Sequence, residues 1–285
     1  MQTNNPVLTR MEQEAKRNGG YASFGTAGTT TAAPPVAGNP PMYGTTSPPT
    51  VGLPTAPTTP MTITDVVAKS GLMFAIVFAF AFGSWQLNVS YGVALISMLV
   101  ATGLGIWGTV SQKIRPAVFL GYSLFIGIAL GGVSLMWATY AADPATGAKD
   151  TTIVVQAIIG TFAAFAAMLF LYVTRIIRVT NRFRRFMMIA LVGYLFVALG
   201  SLIAAIFGVG NGLGFYGSGG LGLLLCVVGV GLAAFTLALD FDAIETAVNA
   251  GAPEAESWRA GFGLVVTLVW LYLEMLRLLA ILNRS

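Results

Sequence analysis

From Gly261 to Leu282 the chain reads GFGLVVTLVWLYLEMLRLLAIL, 22 residues with two charges, Glu274 and Arg277. About 20 predominantly apolar residues cross the hydrocarbon core of a bilayer as a helix, so this stretch reads as a transmembrane span. Working back along the chain, runs of similar length lie at about 66–88, 91–112, 117–140, 153–174, 186–207 and 219–239. The expected fold is an all-α membrane protein whose seven transmembrane helices occupy residues 61–285. An odd number of crossings puts the two ends of that domain on opposite sides.

Composition supports this reading. Of 285 residues 56% are apolar and 9% charged, against roughly 25% charged in a soluble domain. The 15 Lys and Arg and 11 Asp and Glu, five of them before residue 61, are too few to coat a soluble globule. Histidine is absent and Cys226 is the single cysteine, which removes Ser-His-Asp and Cys-His catalysis, histidine or multi-cysteine zinc sites and any intramolecular disulfide. A non-enzyme is expected. The sequence pI near 9.3 does not argue for nucleic acid, because the basic residues collect in short loops between apolar runs.

Residues 1–60 hold ten of the 13 prolines, and Thr, Ala and Gly fill most of the stretch from Thr26 to Pro60. Such a segment cannot bury enough apolar surface to offset its ordering entropy, so a disordered tail is expected. Val7, Leu8, Met11 and Ala15 beside Arg10, Lys16 and Arg17 mark a short candidate interfacial helix within it. No basic segment leads directly into an apolar run at the start, so no cleavable signal peptide is expected and the first span serves as its own targeting signal. Lys113 and Arg115 follow span two, Arg175, Arg178, Arg182, Arg184 and Arg185 follow span four, and Arg259 follows span six. Lys149 and Arg284 are the basic residues of the other side. This bias gives a cytoplasmic N-terminus and an outward C-terminus.

Glycines in the spans (Gly127, Gly131, Gly132, Gly222, Gly229, Gly231) read as close-packing positions. The uncharged loop Gly208 to Gly220 reads as a flexible outer turn with no ligand. Lys69 lies near the start of span one, where it can snorkel to the surface as an anchor.

The informative residues are acids at membrane depth, because an ionised side chain there costs several kcal/mol unless paired, hydrated or neutralised. Asp240 and Asp242 close span six and diverge by about 200° around the helix, so one can face the bundle interior while the other cannot. Glu245 shares the Asp242 face and reads as a solvated helix end. Glu274 is better insulated; it either pairs with Arg277 three residues on or, left alone, forms a proton-gated cation site.

These residues resemble bacterial members of the Bax inhibitor-1 family, the transmembrane Bax inhibitor motif proteins. The pieces are Arg115-Pro116-Ala117 leading into Phe125-x-Gly127-x-x-Leu130-Gly131-x-x-Ser134, then Gln156-Ala157 with Gly160-Thr161, Phe241-Asp242, and Leu271-Tyr272 with Arg277. Asn5-Pro6-Val7 with Thr9-Arg10 looks like the tail of some members. The resemblance implies six helices around a central seventh and, for some members, a pH-sensitive calcium leak governed by two aspartates. Asp242 matches the first; where the second is expected this chain has Thr267, which can coordinate through oxygen but cannot titrate. Glu274 is the substitute, two turns and about 10 Å further along the helix. The candidate ion-binding or gating residues are thus Asp242, Glu274, Asp240 and Thr267, with Arg277 as a structural ion partner, Asp242 and Glu274 as calcium ligands, and no other cofactor.

A cation leak through the plasma membrane, calcium being the ion, is the leading expectation. The competing one, also implied by the resemblance, is a non-transporting regulator of membrane stress or of a membrane protease, using the tail and the Arg175–Arg185 cluster to reach a partner or anionic lipid. A retinal protein would need a lysine in the last span. An aspartyl protease would need Tyr-Asp and Gly-x-Gly-Asp motifs, and the sequence has neither.

Overall fold

The computed structural model describes residues 59–142, 149–212, 214–217 and 219–283. The tail as far as residue 58, with its candidate interfacial helix, lies outside the described residues, as does Arg284. Seven helices follow in order, each long and apolar enough to cross a membrane: α1 Ile63–Gln86, α2 Tyr91–Val110, α3 Pro116–Tyr140, α4 Thr152–Val173, α5 Asn181–Ile206, α6 Gly220–Asn249 and α7 Glu256–Leu282. The protein is a multi-pass membrane protein, and its exposed apolar helix faces contact lipid. Among the described residues, the only β pairing is an isolated bridge between Pro60 and Pro253.

Local chemistry sets the helix ends. Thr62 caps α1 in a reciprocal box: its hydroxyl accepts from the Asp65 amide (3.2 Å), and the Asp65 carboxylate accepts from the Thr62 amide (3.0 Å). Pro116 opens α3, where its missing N–H costs nothing. Thr180 caps α5 by accepting from the Phe183 amide (3.2 Å). Gly251, at φ 65°, turns the chain out of α6.

Bonds between helix ends sort the termini onto two faces. On one, the Met61 amide donates to the Ala252 carbonyl (2.7 Å), Lys69 pairs with Glu254 (3.0 Å), Arg184 with Asp242 (2.7 Å), and Arg259 donates to the Ser111 carbonyl (2.8 Å). This is the arginine-rich face. On the other, Lys149 donates to Asn88 (3.0 Å) and Asn283 to Asp150 (2.6 Å).

α7 is the central helix: it packs on α1, α3, α4 and α6, and its buried positions run around its circumference, from Phe262 and Val265 to Thr267, Leu271 and Leu276. α2 leans on α3, and α5 on α6 and on two 3-10 turns, Val209–Gly212 and Gly214–Gly217. Missing side chains allow the closest approaches. A Cβ on Gly127 would lie 2.7 Å from the Val77 carbonyl of α1, and one on Gly132 2.5 Å from the Ala94 side chain of α2. Gly231, expected to be a packing position, faces open space.

Candidate functional site

Two acid-bearing stations interrupt the apolar packing around α7, which also carries a hydroxyl contact between Tyr272 and Ser134 of α3 (2.6 Å). The first joins α6 to α7: the Thr267 hydroxyl donates to Asp240 Oδ2 at 2.6 Å. Thr267 is buried and Asp240 half-buried, and the apolar cluster of the same two helices includes Leu237, Leu264, Leu268 and Leu271. Among the described residues, no cation lies within ion-pair distance of Asp240.

The second station surrounds Glu274, which is only 3% exposed. Its Oε1 accepts from Tyr194 of α5 (2.8 Å), from the Trp270 indole (3.1 Å) and from Arg277 Nη1 (3.3 Å), and Arg277 Nη1 also reaches Oε2 (3.2 Å). Tyr216 donates to the Tyr194 hydroxyl (3.0 Å) and lays its ring 4.2 Å from the Arg277 guanidinium. Gly229 of α6 makes room for this assembly: a Cβ there would fall 2.5 Å from the Tyr194 hydroxyl and 2.8 Å from the Glu274 carboxylate.

Asp242 takes a third position. It points away from α7, toward the arginine-rich face, and pairs with Arg184 at 2.7 Å. The roughly 200° between the two aspartates is realised with Asp240 inward and Asp242 outward. The residue opposite Thr267 is therefore Asp240 and not Asp242. Asp242 and Glu274 do not share a site, since each carries its own arginine. Among the described residues, no three acidic or thiol side chains converge on a metal position. Glu245 bonds Tyr172 and pairs with Arg175 at 2.6 Å, so it is less solvated than a free helix end.

Lys69 is more than an anchor. It donates to Ser257 (2.6 Å) and to Glu254 (3.0 Å), and the Thr59 hydroxyl donates to the same carboxylate (2.7 Å). The Thr59 bond and then Lys69 hold the Glu254 carboxyl below its ordinary range. Thr59 and Pro60, counted with the tail in sequence, thus pair with the α6–α7 connection.

The described residues of the Gly208–Gly220 loop form two 3-10 turns, the second including Tyr216. Ser201 accepts from the Phe215 amide (3.1 Å), and Gly214 turns at φ 62°, which returns the buried Tyr216 to the bundle. Tyr194 and Tyr216 carried no signal that sequence reasoning used. Nor did Trp270, although its place four residues, about one turn, before Glu274 is a spacing that points to it.

With α7 thus carrying the inward-facing polar groups, a family model described as Bax inhibitor 1 like matches residues 5–284. The chain belongs to that family. A search of curated proteins found no match. In this Bax inhibitor 1 like chain, Thr267 is accompanied by a carboxylate on the facing helix, Asp240.

Proposed function

We propose that this member of the family is a non-enzymatic, pH-sensitive leak pathway for cations, with calcium as the ion moved. We place it in a bacterial plasma membrane, with its arginine-rich face cytoplasmic and its C-terminus outside. The observation that carries the reading is Asp240, a carboxylate at membrane depth whose described partner is a threonine hydroxyl. An acid so placed needs a counter-ion, water or a proton. A passing cation supplies the first and protonation the last, so a single side chain serves as both ligand and gate. The Thr267 hydroxyl adds a hard oxygen of the kind calcium accepts. The outward ion pairs of Asp242 and Glu245 form the approach from the arginine-rich face, and the Glu274 assembly lies further along α7.

Reconstitution in liposomes loaded with a calcium-sensitive dye tests this. Wild-type flux should vary with pH. Asp240→Asn should abolish that variation, while Asp242→Asn retains it. An Asp240→Asn protein with wild-type flux and an unchanged pH profile would remove the gate from this residue.

One observation favours the regulator reading. Arg178, Arg182 and Arg185 are exposed and, among the described residues, unpaired on the arginine-rich face, which suits an acidic partner such as a membrane protease or a stress-response protein. Pull-downs with and without residues 1–58 discriminate: partner recovery that survives in a protein incapable of flux would favour regulation.

A further inference from the structure

A cleft of ≈ 580 Å³ opens between α2 and α5, with α3 and α7 behind it. Ligand sites commonly fall in the range of roughly 300–1,000 Å³. Its walls include Leu95 and Met98 of α2 and Leu195 and Leu202 of α5, and its floor includes Trp270 and Arg277. Along α5 the lining runs from Leu191 to Ala205, about 21 Å of helix. One leaflet of hydrocarbon is about 15 Å deep, so the cleft has the length of an extended acyl chain.

Its floor carries the charge. Glu274 already carries three donors on Oε1 and Arg277 on Oε2. Arg277 uses only Nη1 on Glu274, and Tyr216 covers one face of its guanidinium. Its other N–H groups, along the edge of that plane, have no hydrogen-bond partner among the described residues, and a quarter of its side-chain surface is open. An anion entering the cleft therefore meets the unused donors of Arg277. A planar carboxylate matches such an edge with two parallel hydrogen bonds.

We propose that this cleft binds a long-chain fatty acid as its carboxylate, with the head on Arg277 and the tail between α2 and α5. Depth favours a free acid over a phospholipid. Arg277 lies six residues, about 9 Å, inward of Asn283, and Asn283 with Asp150 marks the polar edge of the bundle. A phosphate tied to glycerol stays at that edge, whereas a bare carboxylate can descend to the arginine.

Trp270 and Trp137 both line the cleft, so quenching of tryptophan fluorescence by a bromine-tailed fatty acid reports occupancy in the detergent-solubilised full chain. The acid should quench saturably. Its methyl ester should bind about tenfold or more weakly, as should the acid to a charge-neutral Glu274→Gln, Arg277→Gln protein. Ala198→Phe, which fills the cleft away from the ion pair, should also reduce binding and keeps the test sound if the double variant fails to fold. Equal binding of acid and ester, or an unchanged affinity in Ala198→Phe, would overturn the proposal. Tighter quenching by a bromine-tailed phosphatidylglycerol would assign the cleft to bilayer lipid and overturn it as well.

Discussion

Glu274 and Asp240 are both acids set into an apolar bundle, and they are accommodated by opposite means. Around Glu274 the protein has assembled an arginine, a tyrosine and an indole, with a glycine opposite and a second tyrosine bracing the first. Around Asp240 the described residues supply a single hydrogen-bonding hydroxyl. A charge matched in this way rigidifies its surroundings, whereas a charge left unmatched stays responsive to protons and ions. The contrast separates a structural acid from a functional one, although both lie in spans of similar hydropathy.

The largest expected effect comes from unmatching the matched site. Arg277→Ala leaves Glu274 buried without its counter-charge and should cost about 3–5 kcal/mol, read as a fall in the thermal unfolding midpoint in detergent. Adding Glu274→Gln should recover most of that loss. Gly229→Ala should cost about 1–3 kcal/mol, because the new methyl overlaps Tyr194 and Glu274. Gly231→Ala, two residues along the same helix and facing open space, should cost nothing measurable.

At the unmatched site the effect on stability should be small. Asp240→Asn keeps a partner for Thr267 and removes an uncompensated charge, so the midpoint should move by less than about 1 kcal/mol equivalent. A loss as large as that of Arg277→Ala would show Asp240 to be a structural acid too.

The smallest effect lies at the arginine-rich face. Glu254 has a carboxyl lowered by Thr59 and Lys69, so its contribution is present above the ordinary glutamate range and is lost as pH falls through the lowered value. Wild type should exceed Glu254→Gln in unfolding midpoint near neutrality, and the gap should close below about pH 4.

Much of the fold was legible because hydrophobic length is a local property. The run expected at 117–140 is α3 at Pro116–Tyr140, and that expected at 153–174 is α4 at Thr152–Val173. α6 and α7 overshoot their apolar runs toward the arginine-rich face, to Asn249 and from Glu256, since helical hydrogen bonding continues past the membrane edge. The sites were less legible. The 200° separation of Asp240 and Asp242 showed that one must face inward, but which one depends on how α6 is rotated against α7, and no single segment encodes that. The Glu274–Arg277 pair was readable at a spacing of three residues. Tyr194 and Tyr216 come from 80 and 58 residues away in sequence, through a loop whose glycines masked its fold.

The most direct test of the contrast is carbodiimide labelling of membranes followed by mass spectrometry, with and without calcium. The account expects modification at Asp240 that calcium suppresses, and a silent Glu274 shielded by its donors. Calcium-suppressed modification at Glu274 with none at Asp240 would contradict it.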